Sequence, residues 1–545
     1  MPTEAEQRQS RVAGATALLA VGNIASRVLG LVREQVLTYL FGASAAVDAF
    51  QVAIIAPRAA YDLLIGGHVN GAIVPVLTDL RANKAELWRV LGLLAGLVMA
   101  LLTGLALLMM AFAPQVVRLA AEGADASTQA LAVALLRLTA PGLIFLGLFA
   151  VFSGALIALE RFIWPAFATV VFNGCIALVT VLLAPPQQVM LAGPGDIYAP
   201  VLIARPADGI AAAAIGWLIA TVAQFALQLY GLGRARTDGP RLRLRLGWRQ
   251  PALRQIGRLY VPVLAGLLLD TLIVRFFTYN LATQTGIEGA IGYMVWATTL
   301  IQFPQGLVAT AISLAVLPML SQAANALDDF RATLGLGLRL TLGLILPAAV
   351  GVFVLAVPLV RLLFEHGAFT AADTEIVATA TRLYLLGLPF AAVDLLLVYA
   401  FYARKDTLTP ALIGVVSHVV YMVTLLLLIE PLSLYALMIA DAIKHVVHAL
   451  LSAIILGLRL RGYGRQGILA TGLRAGIAAA VMGAVGVGLL PPLTAFIGGG
   501  GILREAVGVG VAAAIMGAVF LALAWLLRIQ ELRWLVTRVR QRLGR

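Results

Sequence analysis

NIASRVLGLVREQVLTYLFGASAAVDAFQVAIIAPRAAYDLLIGGHVNGAIVPVLTDL, running from Asn23 to Leu80, decides how the rest of the chain is read. It has the apolar length of two membrane-crossing helices joined by a short loop. Yet Arg27, Arg33, Asp48, Arg58 and Asp62 stand at or near membrane depth within it. A charge there costs about 3 kcal/mol on insertion scales and ~10 kcal/mol or more on an isolated helix, so it normally faces a polar cavity. The stretch predicts a membrane protein built around such a cavity.

Composition points the same way. Of 545 residues, 61% are hydrophobic and 12% charged, and mean hydropathy is +0.97. A soluble domain carries roughly 25% charged residues, so the solvent for most of this chain is lipid. The opening MPTEAEQRQSR lacks the parts of a signal peptide, which predicts a cytoplasmic N-terminus. The net charge of +13 comes from basic residues in short loops. There they orient helices and meet anionic headgroups, which argues against nucleic acid as a partner. The single cysteine, Cys175, lies in an apolar run and excludes intrachain disulfides and thiolate metal clusters.

At about 20 apolar residues per span, the sequence holds fourteen: 12–40, 45–78, 87–117, 128–158, 163–184, 209–233, 252–281, 289–321, 332–357, 374–402, 407–429, 432–458, 467–490 and 502–527. Alternate loops are basic, with Arg81, Lys84 and Arg89, then Arg161, the run Arg234 to Arg258, Arg331, Arg404 and Lys405, and Arg459 to Arg465. The loops between them hold Glu122, Asp125, Asp196, Asp208, Glu288, Asp373 and Glu430. The excess of Lys and Arg marks the cytoplasmic side, which puts both termini there.

An internal repeat shows in the order of motifs. APQVVRLAAEG from Ala113 matches VPLVRLLFEHG from Val357, and LRLTAPGLIFLGLFAVFSGAL matches TRLYLLGLPFAAVDLLLVYAF. Pro75 with Pro318, Arg137 with Arg382 and Pro165 with Pro410 all stand roughly 244 residues apart. Six spans per repeat is an even number, so the halves run parallel, and such halves usually hold substrate between them. The expected fold is an all-α polytopic membrane protein of 14 transmembrane helices, with two parallel six-helix repeats around a central cavity and two extra C-terminal helices. Its parts are an N-terminal repeat at 1–233, a basic cytoplasmic linker at 234–251, a C-terminal repeat at 252–460, two added helices at 461–528 and a basic amphipathic tail at 529–545.

No enzyme motif is present: there is no GxxxxGK[ST], HExxH or CxxC. His445 and His448 share a helical face beside Lys444, a poor metal site and more simply a cytoplasm-proximal polar patch. The arginines remain. Arg27 and Arg33 are six residues apart, about 9 Å along a helix, which suits two edges of a cavity or a diphosphate between them. Arginine binds phosphate oxygens in a bidentate fork, and Arg58 and Arg275 are candidates to join. The competing reading is buried ion pairing with Asp48, Asp62 or Asp270.

SRVLGLVRE, FGASAAVDAF, GAIVPVL, GALIALERFIWPAFATVVFN, LLFEHGAFTAADT and FYARKDTLTP resemble motifs of the MurJ (MviN) family, the lipid II flippases of peptidoglycan synthesis. The resemblance covers roughly the first 460 residues. It implies a bacterial cytoplasmic-membrane protein, not an enzyme, that exports undecaprenyl-diphosphate-linked disaccharide-pentapeptide by alternating access. It also implies membrane lipids and cell-wall synthesis proteins as partners. Arg27, Arg33 and Asp48 correspond to functional family positions. The chain departs from the family at Tyr61, where an arginine is usual, at Gly66, where an acid is usual, and at Ala297-Thr298-Thr299 in place of Ala-Asp-Arg.

The expected substrate set is Arg27, Arg33, Asp48, Arg58 and Arg275. No cofactor is expected, and relatives suggest coupling to membrane potential or a monovalent cation gradient. Asp270, Asp394 and Asp441 are the intramembrane carboxylates for that role. Alternatives are another polyprenyl-linked glycan as cargo, a multidrug/cation antiporter, or a non-transporting scaffold for cell-wall enzymes.

Overall fold

The computed structural model describes residues 4–64, 66–184, 207–235, 243–245, 247, 250–251, 253–254, 256, 274–497, 501–529 and 531. Twenty α-helices and no strand occur among them. Lipid imposes this, because a spanning helix bonds every backbone polar group within itself. Nine helical runs are long and apolar enough to cross a membrane, and eleven if two bent pairs each count as one, among the described residues.

The described residues up to Gly292 form one compact unit and those from Tyr293 a second. In the first, α1 (Glu4–Phe41) ends at Gly42, whose φ of 59° turns the chain into α2 (Ala45–Leu64). There follow α3 (Gly66–Asp79), α4 (Lys84–Ala111), α5 (Ala113–Ala121), α6 (Ala126–Thr139), α7 (Gly142–Ala158), α8 (Ile163–Leu183), α9 (Ala211–Ala235) and α10 (Arg275–Gln284). Leu77 of α3, Leu87 and Leu91 of α4 and Phe152 and Leu156 of α7 fill its core. Thus α10, which the repeat reading assigns to the second half, packs within the first unit, where the Asn280 side chain donates to Leu119 O of α5 at 3.2 Å.

α11 (Ala290–Pro304) leads into the second unit. A π-helical turn after Pro304 connects it to α12 (Ala311–Gln322). Next come α13 (Leu327–Val354), α14 (Ala356–Phe364), α15 (Ala371–Leu385), α16 (Leu388–Ala403), α17 (Leu408–Leu432), α18 (Tyr435–Arg459), α19 (Ile468–Ile497) and α20 (Ile502–Leu526). Phe330 and Leu334 of α13, Leu396 and Phe401 of α16 and Leu456 of α18 form the core there. The last two helices pack through small residues, Ala475, Ala478, Ala479 and Ala512, beside Val354 and Leu355. Most of the basic tail lies outside the described residues; Glu531 pairs with Arg339 of α13.

The two bent pairs are α6–α7, at 43° around Ala140-Pro141, and α15–α16, at 42° around Leu386-Gly387. These are the two segments that the repeat aligns.

Candidate functional site

The site grows from the contact of α1 with α8. Gly22, Ser26, Gly30 and Arg33 fall on one face of α1, at spacings of four, four and three. Small residues there let the helix backbones approach: a Cβ on Gly22 would stand 2.3 Å from Ala166 O of α8. Asn173, buried in the apolar run of α8, reads this face. Its amide donates to Ser26 O at 3.2 Å, and its carbonyl accepts from Arg33 Nη1 at 2.9 Å. Arg33 Nε donates to Glu34 Oε1 at 3.1 Å, and Nη2 pairs with the same oxygen. Glu34 is buried, and its Oε2 has no hydrogen-bond partner among the described residues.

α2 and α10 bring the next charges. Arg58 is exposed although Ala56, Pro57, Ala59 and Ala60 beside it are buried, and it lies within electrostatic range of Arg33, Asp62, Arg275 and Tyr279. Arg275 Nη1 donates to Asp62 Oδ2 at 2.8 Å. Tyr279, one turn beyond Arg275, sits within range of Arg58, Arg275, Asp48 and Glu34. Three guanidiniums therefore share two carboxylates, Glu34 and Asp62. The Arg275–Asp62 side chains are 39% and 32% exposed, and a pair so open contributes roughly 0–1 kcal/mol to stability. Holding the fold is therefore a weak reason for the Arg275–Asp62 pair, and guanidinium N–H forks are groups able to bind an anion.

Asp48 has a different task. Its Oδ1 accepts from the backbone N–H groups of Ile291 and Gly292, both at 3.0 Å, at the start of α11. In return Glu288 Oε1 accepts from Ala45 N at 3.1 Å, at the start of α2. Two helix N-termini thus cap each other, each with a carboxylate where orphan N–H groups and the helix dipole favour one. Gly289, at φ 77°, allows the approach, since its Cβ would stand 2.8 Å from the Ala43 carbonyl carbon.

Arg27 donates to Asn23 Oδ1, one turn back on α1, at 3.2 Å. Tyr61 is turned into an apolar cluster with Leu102 of α4 and Leu143 of α7. Thr298 and Thr299 bond carbonyls of their own helix. Gly66 opens α3, and Asp270 lies outside the described residues. In the second unit, Asp394 meets His448 and Ser452, and Asp441 meets Lys444 and His445. Sequence reasoning missed Asn173, Glu34, Glu288 and Tyr279; the signal for the first two was a polar residue inside an apolar run.

The fold is that of a polytopic helical membrane protein. It matches an inward-facing MATE family multidrug resistance transporter of the MOP superfamily with a TM-score of 0.64 at 16% identity, over 82% of this chain and 98% of that one. It matches a lipid II flippase MurJ structure in an inward closed conformation with a TM-score of 0.72 at 21% identity, over 92% and 98%. Likeness at such identity concerns the fold.

The sequence narrows the class. Residues 37–497 match the family described as lipid II flippase MurJ. The probable lipid II flippase MurJ of Haemophilus influenzae is 32% identical over 457 residues, which is 78% of this chain and 82% of that protein. The lipid II flippase MurJ of Burkholderia cenocepacia is 30% identical over 462 residues, 82% and 84%. The chain belongs to the lipid II flippase MurJ family.

Proposed function

We propose that this chain moves lipid II from the inner to the outer leaflet of a bacterial cytoplasmic membrane by alternating access. The observation that carries this reading is the gathering of Arg33, Arg275 and Tyr279 about Arg58 in a member of this family, with Arg33 held by Asn173 and Arg275 by Asp62. Arg33, Arg58 and Arg275, with Arg27 at the rim, hold the diphosphate, and the prenyl chain stays in lipid. Asp48 is a positioning residue that holds the α2–α11 junction.

The full topology is fourteen spans, with both termini cytoplasmic. The eleven counted above are joined by α1, by α2 with α3, and by a span ending in α10. Helix α2 fails a simple apolarity test because Asp48, Arg58 and Asp62 lie in its twenty residues. Two parallel repeats are supported by a shared detail: Arg137 Nε donates to Met110 O at 3.3 Å and Arg382 Nε to Phe353 O at 3.1 Å, each near the end of the preceding long helix. Asp394 and Asp441 supply ion coupling, and cell-wall synthesis proteins are partners at the membrane.

Complementation of a strain depleted of its lipid II flippase tests the reading. The wild-type chain should restore growth. Arg33→Ala or Arg58→Ala should not, at unchanged membrane levels, and Arg33→Lys should restore it partly, because an ammonium keeps the charge without the planar fork. Full rescue by both alanine variants would refute the diphosphate site.

A further inference from the structure

Three of the five histidines of the chain, His418, His445 and His448, meet two aspartates and a lysine inside the second unit. On α18, Asp441, His445, His448 and Ser452 recur at spacings of four, three and four, so they form one stripe on one face. Eleven residues of helix cover about 16 Å, roughly half the hydrocarbon thickness. His448 also stands eleven residues before Arg459, the last residue of α18, and so near the middle of the helix.

The contacts are close. Asp394 Oδ1 of α16 lies 2.6 Å from His448 Nδ1 and accepts from Ser452 Oγ at 3.0 Å. Lys444 Nζ donates to Asp441 Oδ1 at 2.5 Å and stands 5.5 Å from the Tyr421 ring centre of α17. His445 Nε2 is 3.6 Å from Asp441 Oδ2. The stripe is covered by α17, where His418 is in electrostatic range of Asp441 and Gly414 faces His448.

Charge counting shows what is missing. With neutral imidazoles, Asp394, Asp441 and Lys444 sum to one net negative charge. Lys444 is engaged by Asp441, which leaves the imidazoles as the cationic partners that the described residues offer Asp394. The other packed helices direct their charges elsewhere. On α15, Asp373 meets Tyr293 and Arg382 meets Phe353, while Glu375 is exposed and Tyr384 is buried. On α13, Arg331 meets Asp328 and Arg339 meets Glu531. On α16 itself, Tyr402 and its neighbour Tyr399 add phenols near Asp394. An uncompensated charge among apolar helices is costly unless neutralised.

We infer that the Asp394–His448 pair is a proton-binding site, with His445 and Asp441 as the next stations along α18. The donors argue for a proton over an alkali cation. Hard cations take oxygen ligands, whereas here a ring nitrogen holds the carboxylate at hydrogen-bond distance and an ammonium stands a turn away. As the coupling step of the transport proposed above, one proton would cross for each reorientation of the protein.

Infrared difference titration of the full-length protein in sodium-free lipid nanodiscs tests the site without substrate. The expected result is one step in which carboxyl and imidazole bands change together. Asp394→Asn should abolish the imidazole part and His448→Gln the carboxyl part. Bands that titrate independently in the two variants, or a step displaced by added sodium, would overturn the inference. In vesicles clamped at zero membrane potential, a pH gradient should alter the rate of lipid II flipping by the wild type and leave His448→Gln indifferent. Flipping by the wild type that ignores the gradient would also overturn it. Absence of flipping with the coupled step intact would defeat the lipid II reading and leave the proton site standing.

Discussion

At the scale of single residues, charge in an apolar run is legible and its partner is not. Arg33, Arg58 and Arg275 stand out in the sequence because lipid penalises them. Their surroundings join positions far apart in the chain: Arg33 with Asn173 across 140 residues, Arg275 with Asp62 across 213, Asp48 with Ile291 across 243. No local periodicity encodes such pairings, so Asp48 reads as a substrate group when its contacts are those of a helix cap. The two roles separate under substitution. Asp48→Asn keeps a carbonyl oxygen for the N–H groups of Ile291 and Gly292, and it should preserve thermal stability and most transport. Asp48→Ala should lose about 1–2 kcal/mol, the usual worth of a cap. If Asp48 served through its charge, the asparagine variant would be as inactive as the alanine one while remaining stable. Thermal unfolding in detergent, run beside complementation, distinguishes these outcomes.

At the scale of elements, most helices follow from apolar length and the breaks from Pro and Gly, and both are visible in the sequence. The distances of approach are not. Gly22 and Gly30 are alike in sequence context, yet a Cβ at Gly22 would meet Ala166 O at 2.3 Å and one at Gly30 would meet Asn173 Nδ2 at an ordinary 3.6 Å. Gly22→Ala should therefore force α1 from α8 at a cost of about 1–3 kcal/mol, and Gly30→Ala should be tolerated; melting temperatures of the two variants check this. Helix α6 offers a pH test. The Asp125 side chain accepts from Ser127 and Thr128 at the N-terminus of the helix, and those bonds hold its carboxyl down at about 2. A depressed folded value means that the cap contributes fully above the unfolded value of about 3.9 and is lost as pH falls from there through 2. Asp125→Ala should lower stability at neutral pH by about 1 kcal/mol and flatten the acid limb of the stability curve over that window. An unchanged acid limb would remove Asp125 from the account.

At the scale of the whole molecule, the alternation of basic and acidic loops was the most informative pattern, because it constrains all spans at once. It predicts that single cysteines placed at Arg245 and at Asp196, in a chain whose Cys175 is replaced by Ala, are labelled from opposite faces of the membrane. Labelling from one face would break the fourteen-span topology. Paired motifs in the sequence suggest the repeat, and the two segments they align each hold a bend, of 43° and 42°. What the sequence could not reveal was how charge is distributed between units: the arginines proposed to hold the diphosphate gather in the first, and the histidine–aspartate stripe in the second. The central claim, that the first unit's arginines carry a lipid diphosphate across the membrane, is tested most directly by reconstitution. Vesicles holding fluorescent lipid II in both leaflets are exposed to an impermeant quencher. With the wild-type chain the signal of both leaflets should be lost, and with Arg33→Ala only that of the outer leaflet. Loss confined to the outer leaflet with the wild-type chain, at confirmed insertion, would contradict the account.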